Sequence, residues 1–165
     1  MSGIFLLLGS NMGDRLSHLQ KACDLLVSSD VQILRASSIY ETAPWGKTDQ
    51  QWFLNVVVEV QSSLPPEALL TLCLQVETDM GRIRSEKWAE RLIDIDILYF
   101  DKEVTSSDVL EIPHPGIPSR KFTLMPLVEL AADFSHPTLG KTQQQLLENV
   151  DDPLEVLHTK HTLTL

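Results

Sequence analysis

Residues 92–100 read Leu-Ile-Asp-Ile-Asp-Ile-Leu-Tyr-Phe, a pattern that sets two carboxylates among apolar residues. From Ile93 to Tyr99 the apolar residues alternate with Asp94, Asp96 and Leu98. A period of two belongs to a β-strand, with both carboxylates on one face and the isoleucines on the other. Such a strand needs partner strands beside it and an apolar layer over its isoleucines, and the rest of the chain has to supply both.

Further segments read as strands. Residues 4–8 form a continuous apolar run closed by Gly9, Ser10, Asn11 and Gly13, which predicts a buried strand and then a turn. Residues 53–60 contain three successive valines, and residues 31–40 include Val31, Ile33, Ile39 and Tyr40, both β-prone compositions. Helical spacing joins Leu16, Leu19, Ala22, Cys23, Leu26 and Val27 behind a capping Asp14. A second helical stripe, Leu69, Leu72, Cys73, Val76 and Met80, opens at Pro65 and Pro66 and ends at Gly81. The order β-α-β-β-α-β predicts an α+β, ferredoxin-like fold with both helices on one face of a largely antiparallel sheet. Beyond residue 101 the chain is an addition, with a short helix expected from about Ser119 to Pro126. Residues 143–145 and the end from Thr159 read as a loosely held tail.

At 165 residues the chain has the length of one domain, with a core over about 3–137 and a C-terminal extension over 138–165. Thirteen Lys and Arg against 23 Asp and Glu give a formal charge of −10. That balance argues against nucleic acid or an anionic membrane as the main partner, so any phosphate site has to be local. Cys23 and Cys73 match no metal or redox spacing and read as buried thiols. No apolar run has the length of a signal sequence or membrane span, and a cytoplasmic location is expected.

Asp94 and Asp96 side by side suit a divalent cation, because Mg²⁺ takes hard oxygen ligands and commonly one or two protein carboxylates. Alone they suit equally well the solvent face of an edge strand, where acids oppose aggregation. Arg82, Arg84, Lys87 and Arg91 shift the balance: four cations within ten residues of an acidic chain suit a polyphosphate held beside a metal. Trp45, Trp52 and Trp88 all fall in expected loops, placed either to stack on a flat heterocycle or to pin those loops to the core. Asn55 interrupts an apolar strand, and its amide either serves structural hydrogen bonding or reads the edge of a ring. Residues 9–14 lack the spacing of a phosphate loop and read as a turn and helix cap. His114 and His136 precede prolines without forming a zinc pair, and His114 gains interest beside Arg120.

Gly9-Ser10-Asn11, Tyr40-Glu41-Thr42-Ala43-Pro44, Phe53-Leu54-Asn55, Gly81-Arg82-Ile83-Arg84, Arg91-Leu92-Ile93-Asp94-Ile95-Asp96-Ile97, Pro113-His114-Pro115 and Arg120-Lys121-Phe122 follow in a distinctive order. That order resembles the 6-hydroxymethyl-7,8-dihydropterin pyrophosphokinases of folate biosynthesis over roughly residues 3–137. The resemblance implies transfer of pyrophosphate from ATP to the hydroxymethyl oxygen of the reduced pterin, with release of AMP and a requirement for Mg²⁺. It implies two Mg²⁺ ions on Asp94 and Asp96, with Arg82 and Arg91 stabilising charge during transfer. It assigns the pterin to Thr42, Ala43, Trp45, Phe53, Asn55 and Phe122, the ring lying between Phe53 and Phe122. It assigns ATP to Glu77, Arg84, Lys87, Trp88, Ile97, His114 and Arg120, under a closing loop over residues 82–91.

This chain departs from the family pattern at three places. Trp88-Ala89-Glu90-Arg91 stands where Trp-Gly-Pro-Arg is usual, Phe53 replaces a common tyrosine, and Pro115 replaces an aromatic. Expected partners are the two small-molecule substrates, with the protein acting as a monomer in at most weak contact with other folate-pathway enzymes. Two rivals remain: a metal-dependent phosphohydrolase, which would make free phosphate instead of AMP, and a regulatory module that binds a nucleotide without turnover.

Overall fold

The computed structural model describes residues 3–44, 49–82 and 90–165. The first apolar run forms β1 (Ile4–Ser10), and Asp14 caps α1 (Arg15–Ser28) by accepting from the Ser17 N–H at 3.1 Å. β2 (Gln32–Ala36), β3 (Tyr40–Thr42), β4 (Phe53–Gln61) and α2 (Pro66–Asp79) follow. Prolines suit the entry to α2 because the first helical N–H groups have no intrahelical partner to lose. Gly81 leaves that helix at φ +91°, a conformation that side chains resist. After β5 (Asp94–Phe100) come the small hairpin β6 (Thr105–Ser106) and β7 (Glu111–Ile112), then α3 (Lys121–Ala131), α4 (Gln143–Glu148) and β8 (Val156–His158).

The main sheet is antiparallel throughout, in the order β5-β1-β4-β3-β8, with β2 also paired to β4. Its core has the ferredoxin-like order read from the sequence. β1 runs two residues further than expected, so Gly9 pairs with both Asn55 and Asp94. The single strand expected over 31–40 is split at Ser37. There the Val57 N–H donates to Ser37 Oγ at 3.0 Å while the Ser37 N–H donates to Val57 O at 2.9 Å. A hydroxyl thus stands in for one rung of the ladder, and the chain resumes as β3 along the same edge of β4.

Alternation sorts the strand side chains into two layers. Leu6 and Leu8 of β1, Val56 and Val58 of β4, and Ile95 and Ile97 of β5 pack against Leu19 and Leu26 of α1 and Leu69 and Val76 of α2. Each such side chain, fully buried, contributes roughly 1.5–3 kcal/mol. Cys23 and Cys73 belong to this layer as free thiols, and burial pushes both up to about 12, so they stay protonated. On the opposite face Phe5, Leu7 and Val57 lie under Leu124 and Leu127 of α3 and Leu146 of α4. A bulge in β5 adds to this second layer. Phe5 pairs with Tyr99 and Leu6 with Ile97, so Leu98 is the extra residue, and both Leu98 and Tyr99 join the layer. The Leu98 carbonyl accepts from the His114 N–H at 2.9 Å.

The C-terminal third corrects two expectations. α3 does not stop at Pro126 but continues to Ala131. A proline inside a helix forfeits one N–H bond and crowds the preceding turn, and the burial of Leu124, Leu127 and Ala131 offsets that loss. Residues 143–145 are not loose either. They open α4, whose Thr142 and Gln145 form a reciprocal capping box, and the fully buried Gln143 donates to Tyr99 Oη at 2.8 Å. Beyond β8, Thr159 donates through N–H and Oγ1 to Ile39 O, and the Thr164 N–H donates to Gln20 Oε1 at 2.8 Å. Among the described residues no helix is long and apolar enough to cross a membrane.

Candidate active site

α3 and α4 cover only one end of the second face, and at the other end a cleft of about 370 Å³ opens, a size that suits a small molecule. Strand register builds its floor. Leu7 and Gly9 of β1 lie opposite Asp96 and Asp94 of β5, and Gly9 also lies opposite Asn55 of β4, with Phe53 two residues along. Gly9 is required there: a Cβ on it would sit 2.7 Å from Asn55 Oδ1. Thr42 and Ala43 form one wall, Arg120 and Phe122 another, and Arg91 closes the end beside the carboxylates.

The charged end is densely paired. Arg82 Nη1 donates to Glu77 Oε1 at 2.6 Å and to Asp94 Oδ1 at 2.9 Å, and Arg91 Nη1 donates to Asp94 Oδ2 at 3.0 Å. Glu77, 3% exposed, uses its other oxygen to accept from the Ile95 N–H at 2.7 Å. This carboxylate therefore orients Arg82 and anchors the start of β5. Burial pushes the Glu77 carboxyl up, against the pull of the Ile95 N–H and Arg82. Burial, followed by the charges of Asp94 and Glu77, pushes Asp96 well above the usual carboxylate range, while Arg120 and Arg91 draw it back.

Asp96, whose proton affinity burial and the neighbouring Asp94 raise, is a site that a divalent cation would relieve. Among the described residues no group of three or more His, Cys, Asp or Glu could hold a metal ion. A pair completed by phosphate oxygens and water is nevertheless the donor set that Mg²⁺ favours, so the residues present fit that ion.

At the other end Asn55, 4% exposed, donates from Nδ2 to Thr42 Oγ1 at 3.0 Å, which fixes its amide between β3 and β4. Phe53 and Phe122 border the same space, and the Arg120 guanidinium lies 5.6 Å from the Phe122 ring centroid. His114 sits behind Arg120, its Nδ1 accepting from the Gly116 N–H at 3.0 Å. Burial and the Arg120 charge lower His114 to about 4, so it is neutral at pH 7.

The structure thus gathers Arg91, Asp94, Asp96, Arg120 and Phe122 with Thr42, Ala43, Phe53 and Asn55 in one cleft. Arg82 and Glu77 stand directly behind it. The Ile97 side chain is buried in the helix-side layer, so any contact it makes to ATP would be through its backbone. Trp45, Arg84, Lys87 and Trp88 lie outside the described residues.

Sequence reasoning missed two contributors. The turn residue Asn11 is fully buried; its Oδ1 accepts from the Arg91 N–H at 2.6 Å, its N–H donates to Arg91 O at 3.0 Å, and its Nδ2 donates to Gln50 Oε1 at 3.1 Å. A turn reading explains none of those bonds. Asp151, Asp152, Pro153 and Leu154 form a further wall, and no periodicity or motif in that stretch announces it.

A family model described as 7,8-dihydro-6-hydroxymethylpterin-pyrophosphokinase matches residues 5–132. The chain is 38% identical over 152 residues to the 2-amino-4-hydroxy-6-hydroxymethyldihydropteridine pyrophosphokinase of Methylorubrum extorquens, covering 92% of this chain and 95% of the relative. To the Bacillus subtilis protein of that description it is 41% identical over 143 residues, covering 86% of each. Among solved structures, wild-type Plasmodium falciparum HPPK-DHPS with pteroate superposes with a TM-score of 0.71 at 16% identity, covering 88% of this chain and 43% of that one. That likeness is one of fold, and this chain spans less than half of the solved one.

Proposed function

The chain belongs to the 7,8-dihydro-6-hydroxymethylpterin-pyrophosphokinase family and is a pyrophosphokinase of folate synthesis with ATP as co-substrate, and we propose that its transfer reaction takes place in the cleft on the open half of the sheet. The observation that carries the proposal is one continuous space with two carboxylates and a guanidinium at one end and an amide with two phenylalanines at the other. Phosphate chemistry suits the first end and a flat, hydrogen-bonding heterocycle the second.

In this reading Phe53 and Phe122 flank the pterin, and Asn55 with the backbone at Thr42 and Ala43 reads its polar edge. The hydroxymethyl oxygen attacks the β-phosphorus of ATP and loses its proton, the bond from that phosphorus to the α–β bridging oxygen breaks, and AMP departs. In-line displacement of this kind demands positioning and charge stabilisation more than covalent chemistry. Arg91 faces the transferring group and is held there through its backbone by Asn11. Arg82, clamped by Glu77, steadies Asp94. Arg120 lies between the carboxylate end and the Phe122 ring, placed to meet phosphate, and its charge helps to keep His114 neutral.

Asp94 and Asp96 would hold two Mg²⁺ ions, which when bound neutralise triphosphate charge and favour loss of the hydroxyl proton. Trp45 for the pterin, and Arg84, Lys87 and Trp88 for ATP, rest on the family resemblance.

The test is to incubate the protein with ATP, 6-hydroxymethyl-7,8-dihydropterin and MgCl₂ and separate the products chromatographically. AMP and pyrophosphorylated pterin are expected in equal amounts, and neither without pterin. Free phosphate in place of AMP would turn the assignment to the phosphohydrolase.

A further inference from the structure

The segment between α4 and β8 crosses the end of the cleft assigned to the pterin, and no step of the transfer accounts for it. Both carboxylate oxygens of Asp152 are engaged: Oδ2 accepts from the Lys121 N–H and Oδ1 from the Leu154 N–H, each at 3.0 Å. Three residues later Glu155 O accepts from the Ala43 N–H at 3.1 Å, and Val156 begins the ladder with Thr42. One end of this strap is therefore fastened to the first turn of α3, next to Phe122. The other is fastened to the strand end that carries Thr42 and Ala43. Those are the two opposed walls of the pterin end.

The fastening on α3 also answers a need of that helix. The residue in its own N-cap position, Arg120, makes no side-chain cap bond. The first N–H groups of a helix lack intrahelical partners, and a carboxylate placed there satisfies one and complements the helix dipole. Asp152 does so from 31 residues downstream.

We propose that Asp152 is a positioning residue for the pterin: by tying residues 152–155 between the entry of α3 and Ala43, it sets the gap between Phe122 and the Thr42–Ala43 wall. The proposal rests on the assignment of the cleft above and extends it to residues beyond the 5–132 stretch that the family model matches. The gap matters because dispersion contact with a flat ring is steep in distance, roughly 0.5–1 Å of extra separation forfeiting a quarter to a half of it.

Asp152→Ala, Asp152→Asn and Thr142→Ala are compared with the wild-type chain. Thr142 caps α4 by accepting from the Gln145 N–H and lines no part of the cleft, so Thr142→Ala removes a cap of the same kind elsewhere. The readouts are melting temperature, KM for pterin and for ATP, kcat, and the Kd of 6-hydroxymethylpterin by fluorescence titration with a nonhydrolysable ATP analogue present. Asp152→Ala is expected to raise pterin KM and Kd about tenfold, with ATP KM and kcat within about twofold, the pattern of lost ground-state binding. Asp152→Asn, which keeps one acceptor, is expected at about threefold, and it decides the matter alone if the alanine variant does not fold. Thr142→Ala should lower the melting temperature comparably and leave pterin Kd unchanged. An unchanged pterin Kd in the Asp152 variants, or an equal rise in Thr142→Ala, overturns the proposal while wild-type turnover leaves the assignment of the cleft standing. A wild-type chain that neither binds the pterin nor forms AMP overturns both.

Discussion

The two faces of the sheet are made by the same strands and end in opposite conditions. Toward α1 and α2, alternate residues of β1, β4 and β5 are buried and, apart from Ser10 at the end of β1, apolar. On the reverse face the apolar layer stops part way. Phe5, Leu7, Val57, Leu98 and Tyr99 lie with α3 and α4, and past Leu7 the same-face positions become Gly9, Asn55, Asp94 and Asp96. A strand can thus carry the fold on one parity of its residues and the reaction on the other, so that stability and activity are separable by substituting neighbours.

The sharpest way to break this contrast is Asp96→Asn, which removes charge at constant volume. AMP formation should fall roughly 10³-fold, as when a principal charge-stabilising element is lost. The melting temperature at pH 7 should hold or rise. A carboxyl raised in the folded state contributes stability that is present below its unfolded pKa and lost as pH climbs through the folded one. A thermal loss as large as that of a core truncation would show that the two parities are not independent.

The converse variant, Leu26→Ala, empties a fully buried position in the helix-side layer and should lower unfolding free energy by about 3 kcal/mol in urea titrations. The folded fraction should keep the kcat and KM of the parent. Arg91→Ala comes next, with kcat lowered about 10²-fold and pterin KM little changed, because that charge matters most during transfer; equal KM and kcat effects would move Arg91 to ground-state binding.

The smallest effect concerns His114, held neutral by burial and by Arg120. A histidine depressed in the folded state contributes stability above its unfolded pKa near 6.5 that is lost as pH falls toward the folded value of about 4. Between pH 7 and 5 the parent should therefore lose on the order of 1 kcal/mol more than His114→Asn does, read from urea midpoints at the two values.

The sequence made the core elements and the carboxylate pair legible because periodicity reports which face a residue occupies, and that is a local property. Asp94, Asp96 and Asn55 were found as polar residues in apolar strands, and all three line the cleft. The Ile97 side chain follows the other parity into the helix-side layer, which leaves only its backbone for the ATP role that the resemblance implies. Residues 143–145 and the end from Thr159 read as loose because their order depends on distant partners, Gln143 on Tyr99 and Thr159 on Ile39, and Asp152 between them depends likewise on Lys121. Bonds spanning 44, 31 and 120 positions leave no periodic trace. Only the Thr142–Gln145 capping box had a recognisable local form.

β5 also acts as a ruler. Asp94 and Asp96 mark its first divisions, and the bulge residue Leu98 is the peg from which the His114 backbone hangs. Because each residue advances the strand by about 3.3 Å, the reach from the acidic pair to the stretch that delivers Arg120 is counted out in residues. A one-residue insertion between Asp96 and Leu98 would shift the register by one and turn the acidic pair from the cleft face toward the helices, with no catalytic side chain altered.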